Sequence, residues 1–147
     1  MRLRFVVLAI LCVMTLAFPA WAHHSHNNYQ TSDFTYIEGT VKEIHFLNPH
    51  SWVYLEVKNT AGEAELWALE ATGPRGLENN GITKETLRVG EKAKVRCYRL
   101  RDNSNGCLLG FLTPLHGDAA RGNGVEKDWD GDGGAGFNTQ APVATPR

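Results

Sequence analysis

A rigid corner, Asn48-Pro49-His50-Ser51-Trp52, constrains the fold more than any other part of the chain. It joins two runs with the composition of β-strands. Phe34 to Leu47 is rich in Thr, Tyr, Ile, Val and Phe, and Trp52 to Lys58 alternates apolar and polar residues. Because Pro49 restricts the residue before it to an extended conformation, the corner predicts two consecutive strands that cross at His50.

The first strand changes its apolar face midway. Ile37 and Val41 share one face, whereas Ile44 falls on the other. A strand can keep one face buried across such a change only by inserting an extra residue. We therefore expect a β-bulge near Lys42 or Glu43.

Three more strands and one helix follow. Ala64 to Glu70 suits either a helix or a strand in isolation, but its hairpin spacing after the second strand favours a strand. Gly73 and Pro74 predict a short helix over Pro74 to Asn79. Apolar and polar residues alternate again from Glu91 to Arg101, and Cys107 to Leu112 is continuously apolar, so both segments are predicted to be strands.

The element order is three strands, a short helix and two strands. This order and size predict a small all-β domain over residues 34–116, an OB-like five-stranded barrel with the helix between strands 3 and 4. An SH3-like barrel and a five-stranded meander with a helical lid are the alternatives.

The chain begins like an exported protein. Arg2 and Arg4 precede a short apolar run, and Ala20-Trp21-Ala22 supplies small residues at the cleavage positions, so residues 1–22 are predicted to be a signal peptide cut after Ala22. We expect a periplasmic or secreted protein without stable membrane insertion after cleavage. Residues 23–33 read as an irregular His-rich lead-in, and the glycine-rich residues 117–147 as a disordered tail.

Charge argues against a nucleic-acid partner. Cleavage would leave 125 residues (147 minus 22) with 13 basic and 16 acidic side chains, a formal charge of −3. Lys92, Lys94 and Arg96 form a basic stripe on one strand face that resembles an oligonucleotide-binding strand. A solvated face neutralised by neighbouring glutamates fits the net charge better.

Two cysteines, Cys97 and Cys107, remain after cleavage and flank the last hairpin. An exported protein is free to form disulfides. A turn centred on Asn103 or Ser104 places Cys97 opposite Leu109 to Phe111, which offsets the two thiols along the ladder. The pairing stays open at this point.

The chain resembles a family of small exported bacterial proteins, domain-of-unknown-function family 6152. The resemblance lies in Glu38-Gly39-Thr40-Val41, the Asn48 to Trp52 corner, the Trp67-Ala68-Leu69-Glu70 strand and Leu87-Arg88-Val89-Gly90-Glu91. Members also begin with His-His-Ser after the cleavage site, as His23-His24-Ser25 does here. The resemblance implies export and a small β-barrel, and it brings no activity, ligand or catalytic residue.

One candidate ligand-binding face lies beside the corner. OB barrels usually meet ligands on strands 2 and 3 and on the adjoining loops. Here those elements carry Asn48, His50, Trp52, Tyr54 and Trp67, which combine aromatic surfaces with directional hydrogen-bonding groups. The structural alternative is that Trp52 and Tyr54 form a second small core under the lead-in.

A second candidate site uses the predicted mature N-terminus. The α-amine and imidazole of His23 can chelate Cu(II), and His24, His26 and His50 can complete a nitrogen-rich set. Histidines in a loose polar segment are alternatively no more than solvated.

No pattern supports an enzyme strongly, since the chain has no nucleophile elbow, phosphate-binding glycine loop, CxxC or HExxH. Asp128 to Gly133 resembles half of an EF-hand loop, but Thr139 stands where the loop needs glutamate. The sequence therefore favours a non-enzymatic, monomeric binding module for a small molecule or periplasmic protein. Periplasmic copper handling is the alternative function.

Overall fold

The computed structural model describes residues 28–131 and forms a closed β-barrel. The expected signal peptide, His23, His24 and His26 lie outside the described residues. The strands are β1 (Thr35–His45), β2 (Ser51–Lys58), β3 (Ala64–Ala71), β4 (Lys92–Arg99), β5 (Gly106–Pro114) and β6 (Lys127–Asp128). One α-helix, α1, spans Pro74–Asn79, and a 3₁₀ turn spans Ala119–Arg121.

The strand order is β3-β2-β1-β4-β5-β6, and a parallel pairing of β3 with β5 closes the first five strands into a barrel. All other pairings are antiparallel. This connection confirms the OB-like barrel with its helix between strands 3 and 4. It also excludes the open meander, because a meander has no contact between its third and fifth strands.

The expected bulge is confirmed in β1. Val41 pairs with Leu55 and Glu43 pairs with Tyr54, so Lys42 is the extra residue. Val41 is fully buried, and Ile44 packs against the same core from beyond the bulge. The inserted residue thus keeps both apolar halves of the strand on the inside of the barrel.

The barrel interior takes alternate residues from each strand. Val53 and Leu55 of β2 face Leu69 of β3 and Val95 of β4, and all four are 2 % exposed or less. Ala64–Ala71 is a strand as its hairpin spacing predicted, and its two-residue period buries Trp67, Leu69 and Ala71 while Glu70 lies on the outside.

The helix begins and ends where glycine and proline predicted. Gly73 is extended at the N-cap, Pro74 takes the first helical position, and Leu77 is buried against the core. Gly81 has φ of +68°, the left-handed conformation that ends the turn after the helix.

The structure differs from the expected disorder after Gly117. Residues 117–131 form the 3₁₀ turn and β6, and Trp129 is fully buried in the main core. The backbone N–H of Trp129 donates to Gly110 O at 2.9 Å, and its backbone carbonyl accepts from Thr72 N at 2.9 Å. The buried side chain of Trp129 and the two backbone hydrogen bonds of this residue order the segment despite its glycine content. Residues 132–147 lie outside the described residues.

Cys97 and Cys107 form a disulfide with a Cα–Cα distance of 5.6 Å. Cys97 pairs with Leu109 as the hairpin predicted, so the two cysteines are diagonal neighbours. Gly110 is skipped in this register, and the resulting irregularity in the β4–β5 ladder accompanies the diagonal pairing. The sequence alone did not determine whether the two cysteines pair, and the tertiary structure shows that they do.

Candidate functional site

Three half-buried or exposed rings lie together on the outside of β1 and β2. Trp52 and Tyr54 are two residues apart on β2, with ring centroids 6.4 Å apart and planes 24° from parallel. The His45 ring lies 5.4 Å from Tyr54 and pairs in register with Trp52. We call His45, Trp52 and Tyr54 the aromatic face. Their shared orientation follows from the bulge and from the two-residue period of β2.

A hydrogen-bonded network borders the aromatic face on β3. Glu70 pairs in register with Trp52, and its two carboxylate oxygens receive different donors. The Nδ1 of His50 contacts Oε1, while the Tyr29 hydroxyl donates to Oε2 at 2.5 Å. Because carboxylate oxygens only accept, Nδ1 of His50 carries a proton and donates to Glu70.

The side chains of this network are largely shielded from solvent. The side chains of His50 and Glu70 are 28 % and 18 % exposed, and Tyr29 is buried. Burial, and then the hydrogen bond and the negative charge of Glu70, raise the pKa of Tyr29 well above its usual value. Tyr29 therefore stays a protonated donor and fixes the Glu70 carboxylate towards His50.

The corner itself is held in place by backbone contacts. The Asn48–Pro49 peptide is cis, and Ser51 N donates to Thr72 O at 3.2 Å. A Cβ on Gly73 would lie 2.7 Å from Pro49 O, so only glycine permits this approach. Asn48 is exposed on the loop, and His50 is oriented inward to Glu70.

A second imidazole–carboxylate pair lies on the other side of the aromatic face. Glu43 pairs in register with Tyr54, and its Oε2 lies 3.0 Å from Nε2 of His45. The two aromatic residues of β2 thus have one carboxylate opposite each of them, Glu43 on β1 and Glu70 on β3.

Trp67 does not belong to this surface, and its assignment to the binding face is wrong. It is 6 % exposed and lies in the main core with Leu69 and Ala71, whereas Glu70 faces outward. Residues 67 and 69 share one parity, so the alternation that buries Leu69 also buries Trp67. Arg99 covers its ring, with the guanidinium carbon 5.0 Å from the ring centroid.

The lead-in covers a different part of the barrel from the one expected. Tyr29 packs with Tyr98 and Leu108 on the outside of β4 and β5, and Phe34 stacks on Tyr98 with centroids 4.6 Å apart. A second small core under the lead-in therefore exists, but it does not contain Trp52 or Tyr54.

The basic stripe of β4 is partly neutralised. Lys94 lies 3.9 Å from Glu38, and Arg96 donates to both oxygens of Glu126 at 3.0 and 2.6 Å. The Arg96 guanidinium also lies 4.2 Å from the Phe111 ring centroid. This pairing fits a solvated structural surface, with Lys92 exposed at one end of the strand.

The segment that resembles half of an EF-hand loop is described as far as Gly131. Asp128 Oδ1 accepts from the backbone N–H of Asp130 and Gly131, as in a tight turn.

Between residues 28 and 131, no group of three or more His, Cys, Asp or Glu side chains is arranged to hold a metal ion. Over the same range, no helix has the length and apolar character that crossing a membrane requires.

Tyr29 is the site residue that sequence reasoning missed, because it lies in a polar segment without periodicity. A single large aromatic among small polar residues was the available signal, but its partner Glu70 lies 41 residues away along the chain. In the sequence, Glu70 appears only as the last residue of the third predicted strand. The alternation of β3 was the signal that it faces outward beside Trp52.

Comparison with known families bears on identity alone. No curated protein and no solved structure matches the chain. The family described as a family of unknown function, DUF6152, matches residues 9–109, more than half of the chain. That range includes Tyr29, His50, the aromatic face and Glu70, and it ends before Trp129. The chain therefore belongs to the DUF6152 family.

Proposed function

We propose that the protein is an exported, non-enzymatic binding module that holds a small ligand or a partner side chain on the aromatic face. The observation that carries the proposal is that Trp52 and Tyr54 lie half-buried beside the network in which His50 and Tyr29 both contact Glu70.

Aromatic rings offer large apolar contact with little loss of side-chain entropy, and a few fixed polar groups then orient the ligand. Glu70 is fixed by two donors before any ligand arrives, and His50 is fixed by Glu70. A preorganised site loses less freedom on binding. The location on strands 2 and 3 and the first connecting loop is also the usual binding surface of OB barrels.

Tryptophan provides a direct test. Trp52, Trp67 and Trp129 are the tryptophans of residues 28–131, and Trp52 alone among them is not buried. Methyl β-glucoside, N-acetyl-tyrosine amide and choline would be titrated to millimolar concentration while the indole N–H signals are followed by ¹⁵N NMR. We expect at least one probe to shift the Trp52 signal and leave the two buried indoles in place.

Two variants make this test specific. Tyr54→Ala removes the second β2 ring but keeps the Trp52 reporter and should abolish the response, whereas Tyr36→Ala, which removes an exposed aromatic elsewhere on β1, should preserve it. If none of the three probes moves the Trp52 signal of a folded protein, the binding-face proposal is wrong. Loss of folding in Trp52→Ala would instead identify Trp52 as a packing residue.

Copper handling is the second candidate, and the anchoring of the lead-in favours it. The Tyr29 hydroxyl is bonded to Glu70, which also holds His50. His26 precedes Tyr29 by three residues, a span of at most about 10 Å of chain, so the histidine-bearing segment continues directly from a residue bonded to the carboxylate that also holds His50. A carboxylate behind the imidazole is also the usual support of a metal-ligating histidine.

The copper test requires mature protein whose His23 start is verified by mass spectrometry. Calorimetry and EPR should show one Cu(II) per chain, with weaker binding in His50→Ala and unchanged binding in His116→Ala. Absence of stoichiometric uptake contradicts copper handling. Uptake that does not depend on His50 would limit the site to the N-terminal segment and contradict the role of the barrel.

A further inference from the structure

The carboxylates that lie in register with the two rings of β2 give this part of the aromatic face a negative charge. Trp52 has His45 and Glu70 as its register partners, and Tyr54 has Glu43 and Ala68. Glu43 and Glu70 each contribute one carboxylate to these rows. The rings are therefore flanked by one carboxylate on each neighbouring strand.

The basic side chains near this surface are directed to other partners. Lys42 lies 3.0 Å from Glu56, one row further along the strands. Arg101, on the Tyr29 side, donates its Nε to the Tyr29 carbonyl at 3.0 Å. Lys58 is at the far end of β2, where it pairs in register with Ala64. The rows of Trp52 and Tyr54 themselves contain no lysine or arginine.

This arrangement favours a cationic ligand whose charged group bears methyl or methylene groups. The faces of tryptophan and tyrosine rings attract cations through their quadrupole, and they bury the attached methyl or methylene groups at the same time. Carboxylates at the edge of the rings add an attraction that does not require full desolvation of the charge. Ala68, opposite Tyr54, contributes only a methyl group to that side.

We propose that the ligand of the aromatic face is a small organic ammonium cation, with Trp52 and Tyr54 contacting its carbon groups and Glu43 and Glu70 supplying the negative field. This inference rests on the proposed binding function and defines the ligand class. A quaternary ammonium compound and a lysine side chain share the chemistry.

Choline and its uncharged isostere 3,3-dimethyl-1-butanol separate charge from shape. Both would be titrated into the protein at low salt, with the Trp52 indole signal as the readout. We expect choline to bind about 5- to 30-fold more tightly than the neutral alcohol, the range given by cation–π attraction at partly desolvated sites. N-acetyl-lysine amide in a parallel titration distinguishes a lysine side chain from a quaternary ammonium compound.

Glu43→Gln is the informative variant, because Glu70 also holds His50 and Tyr29. It should reduce the preference for choline over the alcohol at least threefold, whereas Glu38→Gln should leave the preference unchanged. Glu38 is a matched control, since it is an exposed glutamate of β1 that faces Lys94 of β4. Circular dichroism and urea unfolding confirm that both variants are folded.

The failure of this inference can be told apart from failure of the binding function. Equal affinity for choline and the alcohol, or a preference that survives Glu43→Gln, overturns the cation proposal. A Trp52 signal that responds to methyl β-glucoside but not to choline or N-acetyl-lysine amide overturns it as well, while the binding face stands. No response to any probe contradicts both.

Discussion

Strand parity determines whether Trp52 and Trp67 face the solvent or the core. Trp52 alternates with buried Val53 and Leu55 and faces outward, whereas Trp67 shares the parity of Leu69 and faces the core. The sequence from Ala64 to Glu70 predicts that Trp67 and Leu69 share a face, because residues two apart on a strand lie on the same side. The aromatic chemistry of Trp67 by itself predicts the wrong surface.

Trp67 and Trp52 should therefore respond differently to truncation. Trp67→Ala removes a side chain that is 6 % exposed in the main core, and we expect a loss of about 3–5 kcal/mol in the free energy of unfolding. Trp52→Ala should cost less than about 1.5 kcal/mol, since its ring remains partly in solvent. Urea unfolding of both variants checks this, and equal losses would contradict the assignment of the two faces.

Tyr29→Phe tests the network at Glu70. The loss of its hydroxyl leaves the partly buried Oε2 of Glu70 without its donor, so the variant should lose about 1–2 kcal/mol at neutral pH. The raised pKa of Tyr29 means that the folded protein holds this proton more tightly than the unfolded chain. The stability that it provides is present below the usual tyrosine pKa of 10.0 and decreases as the pH rises above that value.

Paired urea titrations of wild type and Tyr29→Phe between pH 7 and pH 11 measure this difference directly. The advantage of the wild type should shrink above pH 10, and contributions of the other tyrosines cancel in the comparison. An advantage that stays constant or grows with pH would show that Tyr29 is not buried against Glu70.

At the scale of elements, the β4–β5 hairpin combines a diagonal disulfide with a skipped glycine. Gly110 has no register partner on β4, and its carbonyl accepts the N–H of Trp129. The hydrogen bond from the backbone N–H of Trp129 to Gly110 O therefore joins the C-terminal segment to the irregular position of β5.

Removing the disulfide should destabilise the barrel without changing its topology. The bridge closes a loop with a sequence separation of 10, for which chain entropy gives about 2–3 kcal/mol. The double variant Cys97→Ala/Cys107→Ala, unfolded in urea, should show this loss, and a reductant should destabilise the wild type but not the variant. A wild type that is unaffected by reduction would contradict the bridge.

For the whole molecule, residues 115–131 are part of the domain although the family match ends at Leu109. Arg121 donates to both oxygens of Glu91 at 2.6 and 3.0 Å and to Glu85 O at 2.8 Å. The Arg121 hydrogen bond holds the pKa of Glu91 below its usual value. Together with Trp129, this pair fastens the C-terminal segment to β5 and to the region between α1 and β4.

Trp129 should be the main contributor to that attachment. Trp129→Ala leaves a cavity in the main core and should lower the free energy of unfolding by about 3–5 kcal/mol. Val125→Ala is the matched control, because Val125 is 53 % exposed in the same segment and should change little. Chemical denaturation measures both. A Trp129→Ala variant as stable as wild type would show that the barrel does not need this segment.

Much of the fold was readable from local pattern. The bulge near Lys42, the helix from Pro74 to Asn79 and the five-strand order follow from periodicity and from glycine and proline, which act within a few residues. The corner predicted a candidate site at His50 and Trp52. Neither the role of Tyr29 nor the buried Trp129 could be obtained in this way, since each depends on contacts more than 40 residues apart along the chain or on a core completed by other strands.

The sequence by itself determined the element order, the alternation of the strands and the position of the corner, because backbone conformation and burial parity are set by neighbouring residues. Tertiary structure alone decided that the thiols of Cys97 and Cys107 meet and that His50, Glu70 and Tyr29 share one network. Those outcomes require the closed barrel, since only closure brings distant side chains to distances at which hydrogen bonds and disulfides form.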